Sequence, residues 1–164
     1  MSQRIVAFLA IFVALQLSWQ LLRGSPVEYA VVHHGTVRPA AYLIHWISPQ
    51  TRAQAVDFSV HAHGGGLNVV NGCEGLDAAC LLIAAFAVAG LPLSIAVPGM
   101  TLGVATILVV NQVRIVALFF AYRCDPALFD LLHSAVAPLA MVLFVACYFH
   151  AWLGYSGNHA AAAA

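Results

Sequence analysis

The sequence has no lysine and few charges of either sign. Six arginines balance six acidic residues, and charged residues make up only 7% of the 164 positions, whereas about a quarter is typical of a soluble globular domain. This scarcity excludes an ordinary soluble fold, and the lack of a basic surface excludes a nucleic-acid partner. With 63% hydrophobic residues and a mean hydropathy of +0.92, the composition predicts a protein of the lipid bilayer.

Four apolar runs approach the roughly 20 residues that a helix needs to cross a bilayer. The runs cover residues 5–22, 78–97, 100–122 and 134–153, and we expect membrane helices near 5–22, 76–97, 100–122 and 132–153. Only Arg4 precedes the first run as a basic residue, and no small-residue cleavage site follows it, which favours an anchor over a signal peptide. Residues 1–164 are therefore expected to form one all-α polytopic membrane domain with about four transmembrane helices.

Two short connections join the last three runs. Pro98 and Gly99 form a strong turn signal, which predicts an antiparallel pair of helices, and the polar stretch 123–132 joins the third run to the fourth. This order places the start of the second run, the end of the third and the start of the fourth on one side of the membrane.

Residues 23–72 are too polar to span the membrane and form an extracytoplasmic insert between the first two runs. Within the insert, the stretch 38–46 predicts a short interfacial helix. Its Tyr42 and Trp46 lie four residues apart, and such aromatic side chains suit the headgroup layer.

The second half of the insert has the pattern of a β-hairpin. Apolar and polar residues alternate over 55–62, three glycines follow at 64–66, and a second short run covers 67–70. This pattern predicts two paired strands that lead the chain to Cys73. Addition of a substrate strand to this hairpin is one hypothesis for how an extended peptide binds.

Cys73 is the candidate nucleophile. We expect it in the first turn of the second membrane helix, where free backbone N–H groups and the helix dipole lower the pKa of a thiol. For Cys80 and Cys147, inside apolar runs, the interpretation as small buried hydrophobic residues is preferred. A disulfide between Cys73 and Cys124 stays open on an oxidising side of the membrane.

Arg114 is the only charge within the third run. An arginine at the centre of a membrane helix costs at least about 2.5 to 3.5 kcal/mol, so it usually marks a functional or paired site. Asn111, three residues earlier, lies on the same helix face. The alternative is a structural ion pair between Arg114 and Glu74 or Asp77.

His133 begins the fourth membrane helix on the same side as Cys73 and the end of the third helix. A histidine accepts a thiol proton and later donates one to a leaving amine. A thiol, a guanidinium and an imidazole from three successive helices form the set that a Cys/His nucleophilic site requires. Asn111, Glu74 and Asp130, which precedes His133 by about one turn, are the supporting candidates.

Three short motifs resemble the exosortase/archaeosortase family. They are Asn-Gly-Cys-Glu-Gly at 71–75, Asn-Gln-Val-Arg-Ile at 111–115 and Phe-Asp-Leu-Leu-His at 129–133. The resemblance covers residues 56–153, and the short length together with the stretch 111–133 is most similar to the exosortase H subgroup. It implies that Cys73, Arg114 and His133 are the catalytic residues.

The resemblance also implies a function. The expected activity is that of a membrane cysteine peptidase or transpeptidase, which cleaves exported proteins at a C-terminal sorting tail made of a short motif, a transmembrane helix and a basic end. Cys73 would attack the carbonyl just outside the substrate's helix, His133 would move the protons and Arg114 would stabilise the thiolate or the oxyanion. The expected partners are such tailed, membrane-anchored proteins and the bilayer, and neither a cofactor nor a metal is implied.

Two alternatives of other classes remain at this level. One is a non-catalytic membrane scaffold, and the other is a metal-handling or haem-handling subunit that uses four histidines of the insert: His33, His34, His61 and His63.

The orientation of the chain in the membrane is predicted differently by two criteria. The resemblance puts the site at the outer face of the cytoplasmic membrane, whereas the positive-inside rule favours the reverse, because four arginines share the side of the insert: Arg23, Arg38, Arg52 and Arg123.

Overall fold

The computed structural model of the protein describes residues 2–69 and 72–162. Helices dominate the chain, and a small antiparallel sheet interrupts them. The helices are α1 (Ser2–Leu21), α2 (Pro26–Tyr29), α3 (Arg38–Ile47), α4 (Leu76–Val88), α5 (Leu93–Cys124), α6 (Pro126–Leu131) and α7 (Ala137–Ala162). Two π-helical segments, Ala30–Val37 and Leu132–Val136, continue α2 into α3 and α6 into α7, and a 3₁₀ turn covers Pro49–Thr51.

Three helical segments among the described residues are long and apolar enough to cross a membrane: Gln3–Leu21, Leu93–Cys124 and Pro126–Gly157. The remaining expected span corresponds to α4, which has 13 residues. At about 1.5 Å per residue, a helix of that length is shorter than a hydrocarbon core of about 30 Å. The architecture is compatible with a helical membrane protein, and the predicted number of about four full spans is wrong by one.

The turn between α4 and α5 lies earlier in the chain than expected. Gly90 follows the end of α4 with φ +74, the left-handed conformation that often terminates a helix. Pro92 then caps the start of α5. The prediction of a turn at Pro98 and Gly99 is wrong, because both residues lie inside α5.

Trp152 of α7 packs against α5 at Pro98 and Gly99. Its indole N–H donates to the carbonyl oxygen of Ile95 at 3.2 Å, next in sequence to Ser94, whose carbonyl loses its usual helical donor because Pro98 has no N–H. A Cβ atom at position 99 would lie 2.4 Å from the Trp152 ring. This proline-glycine pair therefore serves helix packing rather than chain reversal.

The insert begins with helical structure that the sequence analysis found only in part. The short helix expected over 38–46 is confirmed as α3, but the preceding helical turns, over 26–37, were missed. Ser25 caps them, since its hydroxyl oxygen accepts the Glu28 backbone N–H at 3.4 Å, and proline is favoured at the first helical position. α3 buries Ile44 and leaves Tyr42 and Trp46 exposed.

The hairpin of the insert is a three-stranded antiparallel sheet within the described residues. Strands β1 (Gln54–Val56), β2 (Ser59–Ala62) and β3 (Gly65–Asn68) follow in that order. The single strand expected over 55–62 is wrong, because the chain reverses at Asp57, which adopts φ +48. The second strand, expected over 67–70, corresponds to β3, so only residues 67 and 68 of the expected range lie in a strand. Val70 lies outside the described residues.

The connection between α5 and the last helix is shorter than the stretch 123–132 suggested. Asp125 alone separates α5 from α6. Its carboxylate accepts the backbone N–H of Ala127 at 2.9 Å, which is the usual N-cap hydrogen bond. His133 therefore lies within a continuous helical segment rather than at the start of one.

Two buried clusters organise the molecule. The first joins the insert to the C-terminal half of α5, and its members include Val37, Ile44, Val60, Val69, Cys73, Ile115 and Phe119. The second joins α4, α5 and α7 through Ala78, Leu82, Phe86, Ile107, Met141 and Val145. Cys73 belongs to the first cluster and Ala78 to the second, so the loop before α4 lies where the two clusters meet.

Candidate active site

Cys73 lies in the loop before α4, two residues ahead of the N-cap Gly75. Its side chain is buried, with 4% of its surface exposed. Burial raises the pKa of the Cys73 thiol, the nearby Arg114 lowers it, Glu74 raises it, and the net direction is upward. The expectation of a first-turn cysteine with a lowered pKa is therefore wrong, because the residue precedes the helix and packs into the core of the insert.

His133 lies next to this thiol. Its Nδ1 atom is 3.6 Å from Cys73 Sγ, although the two residues are 60 positions apart in the sequence. The imidazole lies parallel to the Phe129 ring on the preceding turn, with 5.3 Å between ring centroids. The π-helical segment Leu132–Val136 contains His133, and π-helical turns are often found at functional sites.

Two side chains of α5 hold the loop from the other side. Asn111, fully buried, donates its Nδ2 hydrogen to the carbonyl oxygen of Cys73 at 2.9 Å, and Arg114 donates from Nη1 to the carbonyl oxygen of Gly72 at 3.0 Å. Positions three apart share one helix face. α5 therefore fixes two consecutive peptide groups of the loop that carries the thiol.

The carboxylates near the thiol are engaged elsewhere. Glu74 accepts the backbone N–H of Gly72 at 2.8 Å, and Asp77 accepts from the side-chain amide of Gln16 on α1 at 2.8 Å. Among the described residues, the polar partner of Arg114 is the Gly72 carbonyl. The alternative in which Arg114 forms an ion pair with Glu74 or Asp77 is not what the structure shows.

Asp130 does not join the site. It is exposed, and the described residues show no contact between its carboxylate and His133. The imidazole packs along Phe129 instead, which leaves Asp130 on the solvent side of the helical turn. The orienting neighbour of His133 is thus an aromatic ring, and the spacing of four residues between Phe129 and His133 is the signal that sequence reasoning missed.

A pocket of about 300 Å³ lies against His133 and Arg114, which neighbour Cys73, whereas the buried Cys73 side chain itself does not line it. Arg114 and His133 line its polar end together with the loop before α4. Its apolar walls come from α1, α4 and α7, through Phe12, Leu81, Met141 and Val142. The Nε atom of Arg114 is buried and has no hydrogen-bond partner among the described residues.

The glycines of this loop were not among the predicted site residues. Gly72 and Gly75 adopt φ +89 and +80, a region that side chains with a Cβ atom rarely enter. A Cβ atom at position 75 would lie 2.9 Å from Asn111 Cγ. Gly75 therefore lets the loop approach α5 closely, while Asn71 of the same motif lies outside the described residues.

The other reactive side chains do not gather into a second centre. All four cysteines are free, so the Cys73–Cys124 disulfide left open by the sequence is not formed, and Cys124 is exposed at the end of α5. Among the described residues, no group of three or more His, Cys, Asp or Glu side chains is placed to hold a metal ion. His33 instead contacts the backbone carbonyl of Asp57, and His34 contacts Arg38.

Comparison with protein-family models, with curated proteins and with solved structures finds no match. A function for this protein can therefore be proposed only from the geometry of the site itself.

Proposed function

We propose that this protein is a membrane-embedded cysteine peptidase or transpeptidase of the exosortase type. The single observation that carries the proposal is the 3.6 Å approach of Cys73 Sγ to His133 Nδ1. His133 also lines the pocket whose apolar walls come from α1, α4 and α7. A thiol beside an imidazole is the basic unit of a cysteine nucleophile site. Arg114 supplies the positive charge in the same pocket.

The resting thiol is protonated, because burial raises its pKa. His133 therefore acts as the general base at the moment of attack, with its own ring proton on Nε2 and Nδ1 free to accept the thiol proton. Sγ forms a bond to the carbonyl carbon of the substrate, and the C–N bond then breaks as the imidazolium returns the proton to the leaving amine. Water or a second amine resolves the resulting thioester.

Arg114 performs two tasks with different atoms in this proposal. Its Nη1 atom holds the carbonyl of Gly72 and so positions the nucleophile loop. The other donors of its guanidinium, which lines the pocket, stabilise the oxyanion that forms on the substrate carbonyl as its charge develops.

The proposed substrates are exported, membrane-anchored proteins with a C-terminal sorting tail. The apolar walls of the pocket, formed by α1, α4 and α7, suit a chain that emerges from the bilayer. The proposed location is the outer face of the cytoplasmic membrane, and the peptide bond cleaved lies just outside the substrate's helix. Asn111 and Glu74 support the loop, through the Cys73 carbonyl and the Gly72 N–H respectively.

The experiment is a processing assay in cells that express the protein with a tailed reporter protein. Cys73→Ala is expected to leave the protein in the membrane and to abolish cleavage, so that full-length reporter accumulates on a gel. Cys124→Ala, which removes an exposed cysteine outside the pocket, is the matched control and keeps wild-type cleavage. Normal cleavage by Cys73→Ala would overturn the assignment.

A further inference from the structure

Strand β3 lies at the edge of the sheet, and its backbone groups alternate in direction. The N–H of Val69 donates to the carbonyl of Phe58 at 2.8 Å, and this contact continues the register in which Leu67 pairs with Val60. In an antiparallel pair, hydrogen-bonded and non-bonded pairs alternate. Gly65, Leu67 and Val69 therefore bond toward β2, whereas Gly66 and Asn68 direct their N–H and C=O groups to the free edge.

Among the described residues, no hydrogen bond is made to the outward-facing backbone groups of Gly66 and Asn68, and both residues are exposed. α5 packs on the face of the sheet that bears Leu67, since Leu67 and Phe119 belong to one cluster. The last turn of α5 lies near the start of β3, where Tyr122 and Arg123 approach Gly65 and Gly64. The consecutive glycines 64–66 also bring no side chains that would obstruct a neighbouring strand. The opposite edge differs, because β1 packs against α3 and the segment Ala30–Val37.

The open edge leads to the candidate nucleophile. β3 ends at Asn68, five positions before Cys73, and five residues of extended chain span at most about 18 Å. Leu67 and Val69 share a buried cluster with Cys73. A peptide aligned along β3 therefore has its next few residues within reach of the thiol.

We infer that the free edge of β3 binds the substrate as a fourth, extended strand. This inference rests on the proposed function and specifies its substrate class: an unfolded segment of four to six residues, recognised mainly through its main chain. Unpaired N–H and C=O groups of an exposed strand are the template for such strand addition. Because the backbone groups of β3 alternate in direction, the N–H and C=O groups that contact the substrate strand are those of Gly66 and Asn68.

The test uses electrophiles that label the Cys73 thiol in purified, detergent-solubilised protein. The first probe is a pentapeptide of alternating threonine and valine that ends in a vinyl sulfone. The second is the same pentapeptide with N-methylated amides, which cannot donate strand hydrogen bonds. We expect the first probe to label Cys73 at least about tenfold faster than the second, because two or more hydrogen bonds distinguish them.

Variants of the strand give matched controls. Asn68→Pro removes the N–H directed to the free edge without breaking a backbone hydrogen bond to β2, and proline is accepted at such edge positions. Asn68→Ala also loses the side chain that accepts from Ser59 but keeps the N–H, so it is the reference for the proline variant. Relative to Asn68→Ala, Asn68→Pro is expected to react with the unmethylated probe at least about fivefold more slowly, with each rate divided by that of iodoacetamide, which has no peptide. Ala55→Pro, which alters the opposite edge, retains the wild-type rate for both reagents.

Equal labelling by the two pentapeptides in the wild-type protein would overturn the inference, even if Asn68→Pro failed to fold. An unchanged rate for a folded Asn68→Pro variant would also overturn it. These outcomes are independent of the processing assay. If the two pentapeptides label Cys73 equally while cleavage still requires Cys73, strand addition alone is refuted. If labelling depends on the edge of β3 while Cys73→Ala cleaves the reporter normally, the proposed function alone is refuted.

Discussion

The buried amide of Asn111 donates a hydrogen bond to the carbonyl oxygen of Cys73 at 2.9 Å. A residue within a membrane helix thus fixes the backbone that carries the thiol. The contact needs close approach of the loop to α5, and Gly75 provides it by having no Cβ atom where Asn111 packs. Substitutions at these residues can therefore test the close packing of the loop against α5 and the chemistry that depends on it.

Gly75→Ala is expected to destabilise the protein and to displace the thiol. The new Cβ atom would meet Asn111 Cγ at 2.9 Å, and the left-handed conformation of Gly75 costs an alanine about 1 to 2 kcal/mol more. Thermal unfolding in detergent and reporter cleavage measure the two effects. Gly154→Ala is the control, since its Cβ atom meets nothing within 4 Å. Equal behaviour of the two variants would contradict the close approach.

Arg114→Lys separates an electrostatic role from a geometric one. Lysine keeps the charge but offers a single hydrated ammonium in place of a planar guanidinium. We expect cleavage to fall by at least about tenfold, equal to about 1.4 kcal/mol, while membrane expression and the unfolding temperature stay close to those of the wild type.

A double variant tests the ion-pair alternative for the same residue. Glu74 accepts from the Gly72 N–H rather than from Arg114, so Arg114→Ala combined with Glu74→Gln should be no more active than Arg114→Ala alone. Recovery of cleavage in the double variant would show that charge neutralisation is the role of Arg114.

The raised pKa of Cys73 predicts slow alkylation of this thiol in the folded protein. At neutral pH, iodoacetamide should modify the exposed Cys124 before the buried Cys73, and the rate at Cys73 should rise with pH over a higher range than in the SDS-denatured chain. Mass spectrometry of the two peptides gives both rates. Faster reaction of Cys73 at neutral pH would indicate a thiolate in the resting state.

The raised pKa of Cys73 also predicts that the stability of the protein changes with pH, and the thermodynamic linkage between folding and proton binding gives the direction of that change. A folded-state pKa above the unfolded value favours the protonated thiol, so its contribution is complete below the ordinary thiol pKa of about 8.5 and is lost as the pH rises through the higher folded value. The unfolding temperature of the wild type should therefore fall relative to that of Cys73→Ser at alkaline pH. A constant difference between the two proteins across that range would contradict the shift.

Sidedness is tested with single cysteines placed on exposed positions at the two ends of α5. In a background that retains only Cys73 of the native cysteines, Gln54→Cys on β1 and Ala127→Cys on α6 should react with an impermeant maleimide added outside intact cells. Ser94→Cys, near the opposite end of α5, should react only after lysis. The reverse pattern would support the orientation that the arginine count favours.

Patterns within short stretches of sequence correctly predicted the structural features that are determined by residues close together in the chain. α3 follows from its amphipathic spacing, and the thiol, guanidinium and imidazole were placed on one side of the membrane by counting apolar runs. The approach of Cys73 to His133 is consistent with that placement. The catalytic roles of these residues stay predictions.

The errors concern features that depend on distant contacts. Pro98 and Gly99 lie inside a helix that packs closely against Trp152, more than fifty positions away, and no local rule contains that partner. Gly90 and Pro92, by contrast, carried a usable local signal for the true turn. The pKa of Cys73 was misjudged because its burial comes from the insert and α5 together, which no stretch of sequence around position 73 reveals.

The shared core of the insert and α5 has a consequence for biosynthesis. The insert leaves the ribosome before Ile115 and Phe119, the residues that cover its apolar side. The roughly 40 residues between Cys73 and Ile115 take a few seconds to synthesise at about 5 to 20 residues per second, and during that interval the nascent insert depends on the bilayer surface or a chaperone for shielding. The thiol meets its imidazole only when the final helix has been inserted, so a stalled nascent chain carries Cys73 without the His133 side chain beside it.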